Sequence, residues 1–546
     1  MPEDERERTG RRPWGAWAVV AVVLAGAIVA YARVRWPGYL PFGSDNDEYQ
    51  LVGQALASFE APLVAGVEGT KYPLGYPALL AVVEWLRLPV APTALGFNLA
   101  ALTATTALVA WVGGRGWPAA SGTGSSARIE QPGAGLAAGA VVVTSVTVWD
   151  DVFSVMPELL LLAVVAAMVA TLDAPLTRRR LGLLTALAVI AVLLKALAIL
   201  LIVGGLAVVA LLVWRDRQQD GPDLTGELAR SAVTTGAARA EPGVTVTRVL
   251  RPAGWAVLVV VAGLLATIRL PDHTTGYVAT FFLEDPFDAS LGRLGPLGLI
   301  GRTIEDLPNT VANFGRSLLR FEADEPVVIV IAVVGFGLGV VGAWWMHRRG
   351  PLAPFLLGAL VAYTAGMALW PYRSSRFGMP LVPIAALGAA FVVRWLAERV
   401  PARQRGVQRI VGLVLGGLLL AGLVADSWTT VVERGEQAEE TLERQYAALD
   451  ALSAWADDHL DADEQVISFD YRELAHHLDR DIAALPYTDD TAVLDELVTA
   501  ADADVVMKID IHWARNRQLG RLVDAEPDRY EQVLDGDGYG VWRVGG

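Results

Sequence analysis

The chain of 546 residues contains no cysteine and only three lysines, Lys71, Lys195 and Lys508. Without cysteine there is no disulfide, no thiolate nucleophile and no thiolate metal site. Basic charge is scarce where a nucleic acid would need it. The net charge is -15, and residues 427–546 hold 28 acidic against 10 basic side chains, which leaves the rest of the chain slightly positive. No basic patch for a phosphate backbone follows from that balance, so nucleic acid is not an expected partner. No internal repeat is visible.

Apolar sequence is abundant. Hydrophobic residues make up 53% of the chain, and the mean hydropathy is +0.41. They fall in blocks separated by short charged stretches. Several blocks reach the ~20 residues that cross a hydrocarbon core about 30 Å thick. The first runs from Trp14 to Ala32 behind Arg6, Arg8, Arg11 and Arg12. It is longer than a signal-peptide core, so it reads as a retained helix with residues 1–13 in the cytoplasm. Further spans are predicted near 92–112, 133–149, 157–172, 181–195, 197–214, 253–268, 326–345, 352–370, 378–396 and 410–426, about eleven in all. The apolar stretch 181–214 is too long for one crossing and is split at Lys195.

This order puts the arginine-rich loops on the inside. They carry Arg115 and Arg128, Arg178 to Arg180, the linker from Arg215 to Arg251, Arg348 and Arg349, and Arg399 to Arg409. The outer loops are 33–91, 150–156, 269–325 and 371–377, either acid-bearing or short. The short apolar segment Tyr76 to Arg87 would invert that pattern if it crossed, so it is read as a helix lying in the outer interface. After Asp426 the pattern changes. A charged helix near Val432 to His459 and short strands near 465–469, 482–485, 503–508, 529–534 and 539–543 predict a small acidic α/β domain over 427–546, outside the membrane. The expected fold is therefore an all-α polytopic membrane domain, 14–426, with that C-terminal α/β domain.

Four constellations lie on the outer side. Ser44-Asp45-Asn46-Asp47-Glu48-Tyr49 puts three carboxylates in four residues beside the membrane, suited to a base or a cation but equally to a solvated loop. Lys71-Tyr72-Pro73-Leu74-Gly75-Tyr76-Pro77 offers an ammonium at lipid-phosphate depth, or plain snorkelling. Asp150-Asp151 and Pro157-Glu158 stand at a helix start, where an acid also simply complements the dipole. Arg373 and Arg376 oppose the positive-inside trend in an outer loop and so favour an anion partner.

The order of these parts resembles the GT-C glycosyltransferases, and among them the protein O-mannosyltransferase and aminoarabinose transferase branch. The family's Asp-Glu-x-x-Tyr is matched by Asp45-Asn46-Asp47-Glu48-Tyr49, with Asn46 in place of the second acid. A second register uses Asp47-Glu48 and loses the tyrosine. Its Lys-Pro-Pro-x-x-Tyr is similar to Lys71-Tyr72-Pro73-Leu74-Gly75-Tyr76, its second-loop acid to Glu158, and its Arg-Phe-x-x-Pro-x-x-Pro to Arg376 through Pro383. The resemblance implies a polyprenyl- or dolichyl-phosphate sugar donor and an acceptor glycan or protein, such as a surface-layer glycoprotein, at the cell membrane. Transfer of a hexose such as mannose would be inverting. Asp45 and Glu158 would be catalytic, and Lys71, Arg373 and Arg376 would hold the donor phosphate. Asp47, Glu48, Tyr49, Tyr76 and Lys195 would support them. No cofactor is certain, and Asp45 with Glu158 is the candidate pair for a hard divalent ion, Mg or Mn. The acid-rich, lysine-poor composition looks like that of a salt-loving archaeon, with a high-GC bacterium as the other reading.

A lipid-linked sugar transporter is the second reading and a surface receptor the third. A transporter would place ionisable groups at mid-membrane and show inverted repeats, whereas these spans are nearly free of charge. Eleven crossings exceed what a receptor needs as an anchor. The arginine distribution sets an expectation that site-directed labelling can check. In this cysteine-free chain, Ser453→Cys should react with a membrane-impermeant thiol reagent in intact cells, and Thr234→Cys should not. Equal or reversed labelling would remove the outer-face site.

Overall fold

The computed structural model describes residues 14–36, 44–61, 63–64, 67–68, 72–115, 130–173, 177–219, 282–285, 288–318, 325–347, 352–370, 374–401, 405–485, 490–510 and 513–545. The architecture is mostly helical. Among the described residues, six helices are long and apolar enough to cross a membrane, or seven if the bent pair Pro132–Val143 and Val146–Val152 is one span. Glu158–Leu172, Arg178–Leu194 and Ala198–Gln219 are helical as well, and the expected span 253–268 lies outside the described residues. The chain is a multi-pass membrane protein. Helices dominate because an apolar run in lipid has only its own backbone to satisfy its N–H and C=O groups.

Helix Ser44–Ala57 follows the first span and starts with Asp45 and Asp47 in its first turn, where acids complement the helix dipole. It packs against helix Gly75–Trp85. The latter has 11 residues, which at 1.5 Å per residue is roughly half of a ~30 Å hydrocarbon core. It does not cross.

Two breaks interrupt the bundle. Thr144 and Ser145 separate the bent pair, which turns by 58°. Ser145 is extended, and its Oγ donates to the Ser317 carbonyl at 2.5 Å. The turn that follows, 153–157, is held by Asn98 from the first half of helix Val90–Arg115. Its buried amide donates to the carbonyls of Val152 at 3.0 Å and Ser154 at 2.7 Å, and more weakly to that of Asp151. The second break is at Lys195, whose extended backbone ends helix Arg178–Leu194 before Ala198 starts the next. The apolar stretch is thus split at the expected residue.

Two segments depart from expectation. Residues 269–325, read as a loop, contain the helix Pro296–Leu318. Its buried residues Arg302, Asp306, Thr310, Phe314 and Ser317 recur at helical spacing, a mixed polar stripe that a hydropathy window passes over. Gly378 lets this helix close on the short 3-10 turn Ser375–Leu381, since a Cβ there would lie 2.9 Å from the Phe314 ring. The charged helix expected from Val432 is also not separate. One helix of 55 residues runs from Arg405 to His459. Nothing between Asp426 and His459 stops it, since that stretch has no proline and a single glycine, Gly435. Gly435 meets the end of the first helix, where a Cβ would lie 2.7 Å from the Val34 carbonyl oxygen. Beside it Arg35 donates to the Arg434 carbonyl at 2.9 Å, and Asp150 binds both Arg35 and Arg434.

Beyond His459 a five-stranded sheet forms in the order Ile482–Ala484, Val466–Ser468, Val505–Ile509, Tyr539–Val544, Tyr530–Gly536. The first three strands are parallel and the last two add antiparallel. Helices Tyr471–Leu478, Thr491–Ala500 and Trp513–Ala525 connect them.

Asn98 is the polar link on which the turn before Glu158 depends. Asn98→Ala should cost about 1–3 kcal/mol, because the buried carbonyls of Val152 and Ser154 lose their donor. Thermal unfolding of the detergent-solubilised protein should report that loss, and a melting temperature equal to wild type would show the turn to be held otherwise.

Candidate active site

All four sequence constellations meet at one end of the bundle. Asp45 is one turn from Tyr49 on the face of helix Ser44–Ala57 that looks toward helix Gly75–Trp85. The Tyr72 hydroxyl donates to Asp45 Oδ1, and Arg376 Nη2 donates to Asp45 Oδ2 at 2.8 Å. Residues 45 and 376 come from the first and fourth constellations, and Tyr72 from the second. The Tyr49 ring packs on Tyr72 at 4.6 Å and edge-on to Tyr76 at 5.3 Å. The Tyr72 hydroxyl is held well above its ordinary pKa, first by burial and then by Asp45 and Glu48, with Arg472 opposing. It stays a proton donor to Asp45. Burial and Glu158 push Tyr76 up in the same way.

Glu158 opens helix Glu158–Leu172, with Pro157 before it. Its Oε1 accepts from the Lys195 ammonium, which the helix break at 195 aims into the site. Lys195 and Arg376 flank the Phe377 ring at 5.3 and 5.4 Å. Asp45, Glu158 and Asp151 all lie within electrostatic reach of Arg376. The described part of the site thus sets three carboxylates against two cations. Lys71 and Arg373, the other expected phosphate ligands, lie outside the described residues.

The acids after Asp45 face elsewhere. Asn46, where the family pattern has an acid, accepts from the Val155 backbone at 2.9 Å and ties this helix to the turn before Glu158. Asp47 and Glu48 are fully buried. Glu48 pairs with Arg472 of the C-terminal unit at 2.7 Å, and Asp47 lies near the Tyr446 hydroxyl.

These residues do not suit a divalent ion. Among the described residues no group of three or more His, Asp or Glu side chains is arranged to hold one. Asp45 and Glu158 each already bind a cationic side chain, which an ion would have to displace. A small apolar cavity of about 20 Å³ is lined by Val165, Met168, Leu201, Phe355, Pro380 and Pro383 among others.

Sequence reasoning did not find Asn98 or Arg472. A lone asparagine in an apolar span was a readable signal. Arg472 had none, because its partner lies more than 400 residues away.

No protein-family model matches the chain, and no curated protein matches its sequence. Solved structures do match its fold. ArnT from Cupriavidus metallidurans in the apo state aligns over 97% of this chain and 98% of its own, with TM-score 0.56 and 12% identity. The same protein bound to undecaprenyl phosphate aligns over 96% and 97%, with TM-score 0.53 and 13% identity. The oligosaccharyltransferase AglB from Archaeoglobus fulgidus, in complex with an inhibitory peptide and a dolichol-phosphate, aligns over 97% of this chain and 74% of its own. Its TM-score is 0.50 and its identity 11%. The likeness is one of fold.

The Glu158–Lys195 pair is nearly closed to water, with side chains 6% and 12% exposed. Removing one partner of such a pair strands the other charge, at a cost of about 3–5 kcal/mol. Glu158→Gln and Lys195→Met should each lower the melting temperature in detergent. The double variant should lose less than the sum of the two. Additive losses would mean that the two side chains do not interact.

Proposed function

We propose that the chain is a membrane glycosyltransferase that moves a sugar from a polyprenyl- or dolichyl-phosphate donor to an acceptor hydroxyl on the outer face of the membrane. The observation that carries this reading is the Asp45–Arg376 pair, a carboxylate and a guanidinium 331 residues apart that meet at 2.8 Å. The GT-C-like fold supports it.

The chemistry follows from what each group can do. A lipid phosphate leaves without a proton, so cations aimed at its growing charge stabilise the transition state. Arg376 serves that end, with Lys71 and Arg373 as expected partners. Before the donor arrives, Arg376 rests on Asp45. The donor phosphate draws the guanidinium to itself, and the freed Asp45 carboxylate accepts the proton of the attacking hydroxyl. The acceptor C–O bond forms as the bond from the anomeric carbon to the phosphate oxygen breaks, and one displacement inverts that carbon. Tyr72 and Tyr49 keep Asp45 in place. Glu158, held by Lys195, lines the other side.

Chain direction supports the outer placement. The helices that end at the site begin at the far end of the bundle, where Arg115, Arg179, Arg180, Arg399 and Arg409 stand. The sugar is read as a hexose such as mannose. The acceptor is read as a glycoprotein or lipid-linked glycan, of the kind found in the surface layer of a salt-loving archaeon.

The test is transfer from a radiolabelled lipid-phosphate sugar by the purified protein. Asp45→Asn should abolish turnover in a folded protein, and Asp47→Asn should be milder. Arg376→Ala should lower kcat/KM by roughly one to three orders of magnitude, since a charge-assisted bond is worth ~1.5–3 kcal/mol and more where charge grows. Arg376→Lys should recover only part, because an ammonium lacks the bidentate fork. Exposed Arg87, outside every constellation, should tolerate alanine. Normal turnover in Asp45→Asn would overturn the assignment of the base. Movement of the donor lipid across a vesicle bilayer with no free lipid phosphate released would identify a transporter instead.

A further inference from the structure

Helix Ser44–Ala57 serves two partners from adjoining strips of one broad side. Asp45 and Tyr49, one turn apart, look toward the site. Glu48, Val52 and Leu56, also one turn apart, look toward the C-terminal unit. Val52 is fully buried in one apolar cluster with Leu449, Leu452, Tyr471, Leu474 and Met507, all beyond residue 427. Glu48 pairs with Arg472 through Nε at 2.7 Å, with side chains 1% and 10% exposed. The Arg472 guanidinium lies over the Tyr471 ring at 4.8 Å, which orients it before it meets Glu48. Helix Tyr471–Leu478, which carries Arg472, follows strand Val466–Ser468 after a two-residue turn.

We infer that Arg472 is a positioning residue for the proposed transfer. By gripping Glu48 it fixes the rotation and height of the helix that presents Asp45 to Tyr72 and Arg376, so the C-terminal α/β unit is part of the catalytic apparatus. The inference rests on the transferase reading. Glu48 is three residues from Asp45, so about 4.5 Å along the axis. A rigid helix passes any displacement at Glu48 to Asp45 undiminished. Arg472 is also the cation that opposes Asp45 and Glu48 at the Tyr72 hydroxyl. Its charge therefore reaches the site as well as its grip.

A misplacement of about 1 Å in a catalytic group can cost on the order of 100-fold in rate. In the full-length protein, Arg472→Met should lower kcat by roughly 10- to 100-fold, while KM for the lipid-phosphate sugar and binding of polyprenyl phosphate stay close to wild type. Arg472→Lys should restore part of the rate, and the exchange Glu48→Arg with Arg472→Glu more than either single change. Arg543→Ala, which breaks the ion pair with Glu464 inside the same unit, should leave kcat unchanged. If Arg472→Met does not fold, Glu48→Gln carries the same expectation. A short bismaleimide should also join Glu48→Cys to Arg472→Cys in this cysteine-free chain whether or not it transfers sugar. Wild-type kcat in Arg472→Met, a loss that follows only the folded fraction, or absence of the crosslink would overturn the inference. No transfer by the wild-type protein would sink the transferase reading and the positioning role with it, even where the crosslink forms.

Discussion

Helix Ser44–Ala57 is gripped by two bodies, and the candidate site depends on that constraint. Asp45 and Tyr49 meet the tyrosines of the second constellation and the guanidinium of Arg376. The adjoining strip of Glu48 and Val52 meets the C-terminal unit. A helix held by one body alone would be free to roll. Here two bodies hold it, and Asn46, further round the helix, is tied to the turn before Glu158. The Asp45 carboxylate is therefore held by three separate parts of the chain. Its pair with Arg376 is intermediate in exposure, 18% and 31%. That lies between a surface pair, worth little, and a buried pair, costly to break. An incoming anion can exchange for one partner of such a pair without stranding the other.

Irregular backbone at membrane depth is tolerated only where protein or water satisfies it. The breaks at 144–145 and at 195 follow that rule differently. At the first, Ser145 and Trp149 bond to nearby carbonyls, at 2.5 and 2.6 Å. Asn98 then closes the turn that follows. At the second, Lys195 ends a helix and turns its ammonium to Glu158. Both breaks give the site what an unbroken span would point into lipid. Arg115 and Asp173, which pair at 3.6 Å at the far end of the bundle, show the contrast. There the charges join the ends of two helices, Val90–Arg115 and Glu158–Leu172.

Much of this was legible in the sequence. Apolar runs bounded by arginine mark helices because lipid allows little else, and every described run expected to cross is helical. Asp45, Tyr49, Glu158 and Arg376 were legible as a set because each stands in a short pattern, and the structure brings them to one end; Tyr72, which donates to Asp45, stood in the second pattern with no role assigned to it. The number of crossings was less legible, since among the described residues length and composition alone support six or seven. Lys71, Arg373 and the span at 253–268 lie outside the described residues. Helix Pro296–Leu318 escaped notice because it buries arginine, aspartate and threonine, which lowers the hydropathy of a window that averages over both faces. The unbroken run to His459 escaped because polarity changes at Asp426 while backbone propensity does not. Arg472 escaped because an ion pair closed by tertiary packing leaves no local pattern.

The charge of the C-terminal unit poses a further physical question. Residues 427–546 carry a net charge of -18, beside a site proposed to bind an anionic lipid. Exposed charges and interface charges respond differently to salt. At ~1 M ionic strength the Debye length is about 3 Å, so repulsion between an acidic surface and a phosphate is largely screened. The Glu48–Arg472 pair is shielded from water and is screened much less, and Arg35, only 11% exposed, keeps its contact with Asp150 for the same reason. Rising salt therefore weakens the repulsion that would hinder a donor and spares the contacts that hold the site together. The unit's acidity and its place over the site are compatible wherever salt is high. In dilute buffer the same surface would slow the approach of an anionic donor, while the buried contacts would stay as they are.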